Sequence, residues 1–354
     1  SAQSGAEYDR ARELVLEYGW NSTAYQILNP GFELWFSALH PAVVGYVRAG
    51  GRRVVGGAPV AADADLRDVA EEFERDSGAH GLGVVYFGAE ERLEALYRDS
   101  ATATAILLGA QPAWDPRDWA SIIATHSSLR AQLNRARNKG VSVSLWPSER
   151  AEHNPELKTL LQEWLGTRGL PPLHFLVEPE TLGQLKDRRV FVATRGAVPV
   201  GFLVASPIPA RNGWLTEQFV RGHNAPNGTA ELMIDAAVRW VADQDADYVT
   251  LGLAPFSTRG GDMTSHSVLD RLGFRWVRAH GRRFYNFAGL DTFKAKFCPD
   301  NWEAVYAISN ERAFSMRSLY AIASAFTQGR PFRTVARGLM QAGKQEMRWI
   351  GKRQ

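Results

Sequence analysis

Around residue 226 the sequence brings together the residue types needed to hold a negative charge as it develops. Residues 224–242, NAPNGTAELMIDAAVRWVA, open on the turn-forming Pro226, Asn227, Gly228 and Thr229. Leu232, Ala236, Val238, Trp240 and Val241 then recur as one apolar face of a helix of about four turns. Asn227 or Thr229 is the expected N-cap, because a side-chain oxygen there accepts an otherwise unpaired backbone N–H. A helix N-terminus beside a polar loop offers donors to an anion or an oxyanion. His223 adjoins this turn, and an unperturbed imidazole suits proton transfer near neutrality. Asn224 and Asn227 can orient a substrate and donate hydrogen bonds, but cannot take a proton. Glu231, one turn into the helix, either holds an ammonium or complements the helix dipole. Glu217 is a second candidate anion, and Thr229 and Ser257 are candidate substrate contacts. An ordinary capped crossover helix would use the same residues, and spacing alone favours that reading.

The elements that must position these residues can be read from periodicity. Residues 7–17 are expected to be helical, with Ala11, Leu14, Val15 and Tyr18 on one face. Short strand-like runs at 32–39, 43–48 and 53–57 are separated by His40-Pro41 and Gly50-Gly51 turns. A helix at 65–76, a strand at 83–87, a helix at 89–97 and a strand at 104–108 complete the first half. The second half repeats the order: helix at 155–165, strands at 190–194, 198–206 and 213–219, the central helix, a strand at 249–253, a helix at 265–272 and strands near Phe274 and Phe284. This order is that of a GCN5-type acetyltransferase, so the fold class is α/β (α+β) with two tandem domains of that type. The expected divisions are 1–126, a linking basic helix at 127–140, a second domain at 141–308 and a basic tail at 309–354.

Composition narrows the class. At 354 residues with 45% apolar and 22% charged residues, the chain has room for two cores and is not a disordered sequence. Cys298 is the sole cysteine, which excludes an intrachain disulfide framework and a cysteine metal cluster and fits a reducing compartment. No apolar run approaches the eighteen or so residues that span a bilayer. The net charge of +3 is unevenly spread: residues 310–354 hold nine basic residues against Glu311 and Glu346, a local +7 that leaves −4 for the rest. The linking helix is also cationic. Leu129, Leu133 and Ala136 face a core while Arg130, Arg135, Arg137 and Lys139 project elsewhere, with no acid in the helix to pair them. Gly140 ends it.

The wording APNGTAEL…LGLAPFS, followed by HGRRFYNFAGLDTFKAKFCPDNWEAVY at 280–306, resembles the C-terminal catalytic part of bacterial multiple peptide resistance factors, the aminoacyl-phosphatidylglycerol synthases. The resemblance extends to YGWNS at 18–22, VVGGAPV at 54–60 and SLRAQLNRARNKG at 128–140, and so covers roughly residues 10–308. It implies an aminoacyl-tRNA-dependent transfer of lysine or alanine to phosphatidylglycerol at the cytoplasmic face of the bacterial inner membrane. It implies a paired-domain fold, in agreement with the element order. Family members often carry an N-terminal membrane-spanning region, which leaves open both a piece of such a protein and a relative without one. Some relatives resemble Asp and Arg carriers where this chain has Asn224 and Asn227, which counts against carboxylate-assisted chemistry here.

Such a transfer is a transesterification, requiring a positioned hydroxyl, donors for the carbonyl oxyanion and a pocket for an ammonium. No metal or cofactor is expected beyond aminoacyl-tRNA as co-substrate. The eight histidines lack a His-Glu-x-x-His pattern, and without a Gly-x-Ser-x-Gly elbow direct transfer is favoured over a covalent acyl-enzyme. The basic helix is assigned to the acceptor end of tRNA, because arginine forks match phosphates. Arg282, Tyr285 and Lys294 are assigned to the substrate, with Arg282 and Lys294 on phosphates. Lys294 and Lys296, two apart on a helix, do not share a face, so at most one need point at the site. Other acceptors or chemistries compete: an aminolipid such as ornithine lipid, an acyl-CoA-dependent N-acyltransferase, a tRNA-dependent peptidoglycan-precursor ligase, or a non-enzymatic lipid- or RNA-binding module. Against acyl-CoA stands the lack of a (Gln/Arg)-x-x-Gly-x-(Gly/Ala) turn between a strand and a helix.

The tail pairs an apolar stripe of Phe332, Val335, Leu339, Met340, Met347 and Ile350 with a cationic stripe of Arg333, Arg337, Lys344 and Arg348. That combination is the pattern of a helix lying in an anionic membrane interface, and equally of a terminal helix docked with its charges solvated. Deleting residues 331–354 is expected to abolish co-sedimentation with phosphatidylglycerol vesicles while leaving tRNA binding intact; equal vesicle binding by both chains would leave the docked helix as the explanation.

Overall fold

The apolar runs read as strands pair into one mixed sheet to which both halves of the chain contribute. The computed structural model describes residues 5–167, 174–260 and 287–328. The expected helix at 265–272, the strands near Phe274 and Phe284, and the amphipathic stretch of the tail at 331–354 lie outside the described residues.

In the first half, helix α1 (Gly5–Tyr18) leads into strands β1 (Glu33–Phe36), β2 (Val43–Ala49) and β3 (Arg52–Gly56), which form an antiparallel meander. Helix α2 (Leu66–Ala79) then crosses over to β4 (Gly83–Glu90), parallel to β3. Its Leu66, Val69, Ala70 and Phe73 are buried, the face expected from their spacing. Helix α3 (Glu91–Tyr97) and β5 (Thr104–Trp114) follow.

Two short helices, α4 (Trp119–Thr125) and α5 (Ser127–Asn138), link the halves. Strand β6 (Val141–Trp146), absent from the sequence reading although its valines alternate with serines, opens the second half. Helices α6 (Ser148–Ala151) and α7 (Pro155–Gly166) precede β7 (Arg189–Arg195), β8 (Val198–Ile208) and β9 (Gly213–Arg221). Strands β6 to β9 are again an antiparallel meander, and helix α8 (Thr229–Asp243) crosses over to β10 (Tyr248–Thr250), parallel to β9. Meander plus parallel crossover thus occurs twice, as the element order predicts. The short β11 (Ala254–Pro255), helix α9 (Phe287–Ala295), β12 (Asn301–Ser309) and helix α10 (Met316–Phe326) complete the described chain.

The strand order is β1-β2-β3-β4-β12-β5-β10-β9-β8-β7-β6, with β11 on β5. The halves join where β10 meets β5, Val249 opposite Trp114 and Thr250 opposite Ala113. Strand β12 follows the second half in sequence but sits between β4 and β5 of the first, antiparallel to both.

Polar groups close the junction. Arg211 bonds Glu303 at 2.6 Å and reaches Glu90 at 3.4 Å, with its guanidinium 3.6 Å over the Tyr248 ring. Tyr248 donates to Glu303 at 2.7 Å, Gln111 donates to both carboxylates at 3.0 Å, and the Ser22 N–H donates to Glu90 at 2.8 Å. Burial raises the pKa of Glu90 against the pull of Arg211. Burial also acts to raise Glu303, but the Arg211 and Tyr248 hydrogen bonds and the Arg211 charge prevail and hold it below the ordinary range. A second seam sets Arg188 against Glu217 at 2.8 and 2.9 Å and against Asn29 at 2.8 Å, while Asp187 binds Arg12 and Tyr25.

Truncating one member of a buried charge cluster leaves the others desolvated and unpaired. Arg211→Ala is therefore expected to lower the free energy of unfolding by about 3–5 kcal/mol. Guanidinium denaturation of the variant beside wild type checks this, and a change under about 1 kcal/mol, the size of an exposed ion pair, would contradict it.

Candidate active site

Gly228 positions the centre of the site. It occupies the N-cap of α8 at φ +92°, with no side chain capping the helix. The expected caps are thereby corrected: the Thr229 hydroxyl turns back to donate to the Pro226 carbonyl at 2.6 Å, and Asn227 is exposed. The reason is the neighbour. A Cβ at position 228 would lie 2.2 Å from the Gln132 carbonyl oxygen, so only glycine lets this turn rest on the backbone of α5.

Helix α5 buries Leu129, Leu133 and Ala136, as its spacing predicts. Its cations have different fates. Arg130 caps the end of α4 by donating to the carbonyls of Ile123 and Ala124. Arg137 bonds Asp235 of α8 at 3.2 Å, and that buried carboxylate also accepts from Trp119 and Arg239. Arg135 and Lys139 are exposed, Arg135 meeting only the Gln132 side chain at 3.5 Å among its hydrogen bonds.

Between α5, β9, α8 and α9 lies a cavity of about 420 Å³. Gln132 and Arg135 line it from α5, Phe219 and Arg221 from β9. Asn227, Gly228, Ala230 and Glu231 come from the turn and first turn of α8, and Leu290 and Phe293 from α9. The Phe219 and Phe293 rings stack at 5.6 Å. Lys296 reaches over Phe293, its ammonium 4.2 Å from the ring centroid, to pair with Glu231 Oε1 at 2.5 Å. Phe297, fully buried and stacked on Trp119, anchors the end of this segment in the core.

The structure thus brings together Arg135, Asn227 and Glu231 of the residues expected from sequence. Others are placed elsewhere. Glu217 is not an open anion but the partner of buried Arg188. Lys294, assigned to phosphate, is fully enclosed and donates to the carbonyls of Leu251, Gly252 and Leu253 at 2.7, 2.8 and 2.8 Å, so its three donors fasten the loop after β10. Burial lowers its pKa to about 7, opposed by Asp291. His223 and Asn224 are exposed outside the cavity lining, the His223 N–H donating to Glu163 at 3.2 Å. Ser257 is buried away from the cavity, its hydroxyl accepting from the Arg259 N–H. Arg282 and Tyr285 lie outside the described residues.

Sequence reasoning missed Arg221 and Phe219, and of the pair Lys294 and Lys296 it chose Lys294. A signal existed for the first two: residues 219 and 221, two apart on a strand, share one face of β9. For the lysines, opposition at i and i+2 was legible, but which of them meets Glu231 depends on packing against the loop after β10.

The family described as "Phosphatidylglycerol lysyltransferase, C-terminal" matches residues 12–309. Phosphatidylglycerol lysyltransferase of Bacillus subtilis is 23% identical over 321 residues, 88% of this chain and 36% of that protein. The chain spans two fifths or less of the curated relatives it matches, 40% and 36% of their lengths. The crystallised C-terminal domain assigned to a lysylphosphatidylglycerol synthetase of Agrobacterium fabrum superposes with a TM-score of 0.77 at 21% identity, over 92% of this chain and 99% of that one. L-PGS from Bacillus licheniformis gives 0.72 at 21% identity, over 89% and 93%. These two likenesses show the fold.

Gly228→Ala is expected to destabilise the chain by roughly 1–2 kcal/mol for left-handed backbone and about 1–3 kcal/mol more for overlap with α5. Asn227→Ala, at an exposed position that caps nothing, should leave the melting temperature unchanged. Thermal unfolding of the two variants checks both, and a fall for Asn227→Ala matching that for Gly228→Ala would restore Asn227 as a structural cap.

Proposed function

Because the chain belongs to the phosphatidylglycerol lysyltransferase C-terminal family, we propose that its cavity moves an aminoacyl group from aminoacyl-tRNA to the hydroxyl of phosphatidylglycerol. The carrying observation is that the cavity unites a helix N-terminus, two arginines without a carboxylate partner among the described residues, and a carboxylate whose second oxygen has no partner among the described residues. Arg135 and Arg221 suit phosphate, from the tRNA end or the lipid headgroup. The second oxygen of Glu231 suits the α-ammonium that every aminoacyl ester carries. The positive end of α8 faces the carbonyl oxygen as charge develops there.

The reaction is a direct exchange of esters. The lipid hydroxyl oxygen bonds to the aminoacyl carbonyl carbon, the bond from that carbon to the ribose oxygen breaks, and the hydroxyl proton ends on the ribose oxygen. The work assigned to the protein is orientation and charge stabilisation, which together supply large rate factors without a covalent intermediate. Lys139, exposed at the end of α5, extends the cationic approach to the cavity. Among the described residues no helix is long and apolar enough to cross a membrane. On this proposal the reaction belongs to the cytoplasmic face of the bacterial inner membrane, where charged tRNA and lipid meet.

Ribonuclease treatment of charged tRNA before mixing is expected to abolish the aminoacyl lipid seen by mass spectrometry. Arg135→Ala combined with Arg221→Ala should lower kcat/KM for charged tRNA on the order of a hundredfold, as loss of two charge-assisted contacts implies. Lipid product that survives ribonuclease would remove the tRNA-dependent reading.

A further inference from the structure

We propose that β6 is the surface through which two copies of this chain pair, edge to edge and antiparallel, with Ser144 on the two-fold axis.

Strand β6 ends the sheet: β7 lies on one side of it, and no described strand pairs with the other. An open edge can accept a further strand, and proteins ordinarily guard one with charge, proline, a bulge or brevity. Strand β6 has none of these guards. Its six residues, VSVSLW, carry no charge, and Pro147 comes only after the last of them. It pairs with β7 from Val141 to Trp146 without a shift of register. The other end of the sheet shows the contrast. Strand β1 has four residues, its Glu33 is paired with Arg48, and the Arg10 guanidinium lies 4.3 Å above the Phe36 ring.

Side chains on both faces of β6 reach solvent. Ser142 and Ser144 are exposed on one face. On the other, Val141 is buried and Val143 half-buried, but Leu145 is 40% exposed.

Register and charge select a second copy as the strand that fits. A two-fold axis perpendicular to the sheet maps each face of β6 onto itself, so opposite residues must lie on the same face. With Ser144 on the axis, Leu145 stands opposite Val143 of the second copy, and the exposed apolar side chain meets the half-covered one. The flanks then match in sign. The chain entering β6 carries exposed Lys139, and the chain leaving it carries exposed Glu149 and Glu152. Arg150, the cation between those two acids, is turned onto the Trp146 ring at 3.6 Å. Antiparallel pairing brings each entry beside the other copy's exit, whereas parallel pairing would set like charges together. Because the contact uses the same edge of both copies, it closes at two and does not grow.

Sedimentation equilibrium of the full chain is expected to show a reversible equilibrium between monomer and dimer. Ser144→Lys sets two ammoniums opposite each other and should raise the dimer dissociation constant at least about tenfold. The residue is exposed, so the circular dichroism of that variant should match wild type. Ser144→Cys, made together with Cys298→Ser, should form a linked dimer on mild oxidation that a reductant reverses. Opposite Cα atoms of an antiparallel pair lie about 4.5–5.5 Å apart, within disulfide reach. A wild-type chain that stays monomeric at every concentration overturns the proposal. A dimer that Ser144→Lys leaves as tight as wild type places the interface elsewhere and also overturns it. Weakening by Ser144→Lys without linkage through Ser144→Cys overturns the register.

Discussion

Two carboxylates, Glu90 wholly and Glu303 partly, are drawn out of water in the middle of the sheet, and one guanidinium makes that tolerable. Burying an ion costs more than its attraction to a partner returns unless the remaining donors and acceptors are also met. Arg211, Tyr248, Gln111 and the Ser22 N–H meet them here, and they come from both halves of the chain. Glu90 lies on β4, Gln111 on β5, Tyr248 on β10 and Glu303 on β12, so the requirement to keep these groups paired fixes four strands in one register. The cavity depends on this indirectly: β10 leads into the loop that Lys294 fastens, and Lys294 sits on the helix that supplies Leu290 and Phe293.

Electrostatics then divides the basic helix into parts with separate work. A helix with four cations and no acid reads as a stripe waiting for phosphate, yet two of the four are committed within the protein. Arg130 satisfies the orphan carbonyls at the end of the preceding helix, and Arg137 neutralises a buried aspartate. The face left for a polyanion is narrower and is continued by Arg221 from the adjacent strand rather than along the helix.

Much of this was legible in the sequence, and the failures share a cause. The inward face of α5, the buried face of α2 and the repeated meander-and-crossover follow from local periodicity, which the fold respects. The errors fall where a partner distant in sequence decides. Gly228 displaces Asn227 and Thr229 as the cap because a carbonyl of α5 presses on it, and no local pattern reports that contact. Glu217 is claimed by Arg188 and Lys294 by three carbonyls, each a long-range bond.

The position of β12 bears on how the chain can come to be folded at all. Its two neighbours, β4 and β5, are made before the second half begins, and residues 301–309 that belong between them only after it. During synthesis the first half therefore waits with two unpaired strand edges facing each other, the kind of surface that recruits stray strands. The slot closes only when the segment following α9 arrives, so the cavity wall and the final sheet pairing are completed together. A chain interrupted before residue 301 would lack more than its last strand: its first half would never finish its sheet.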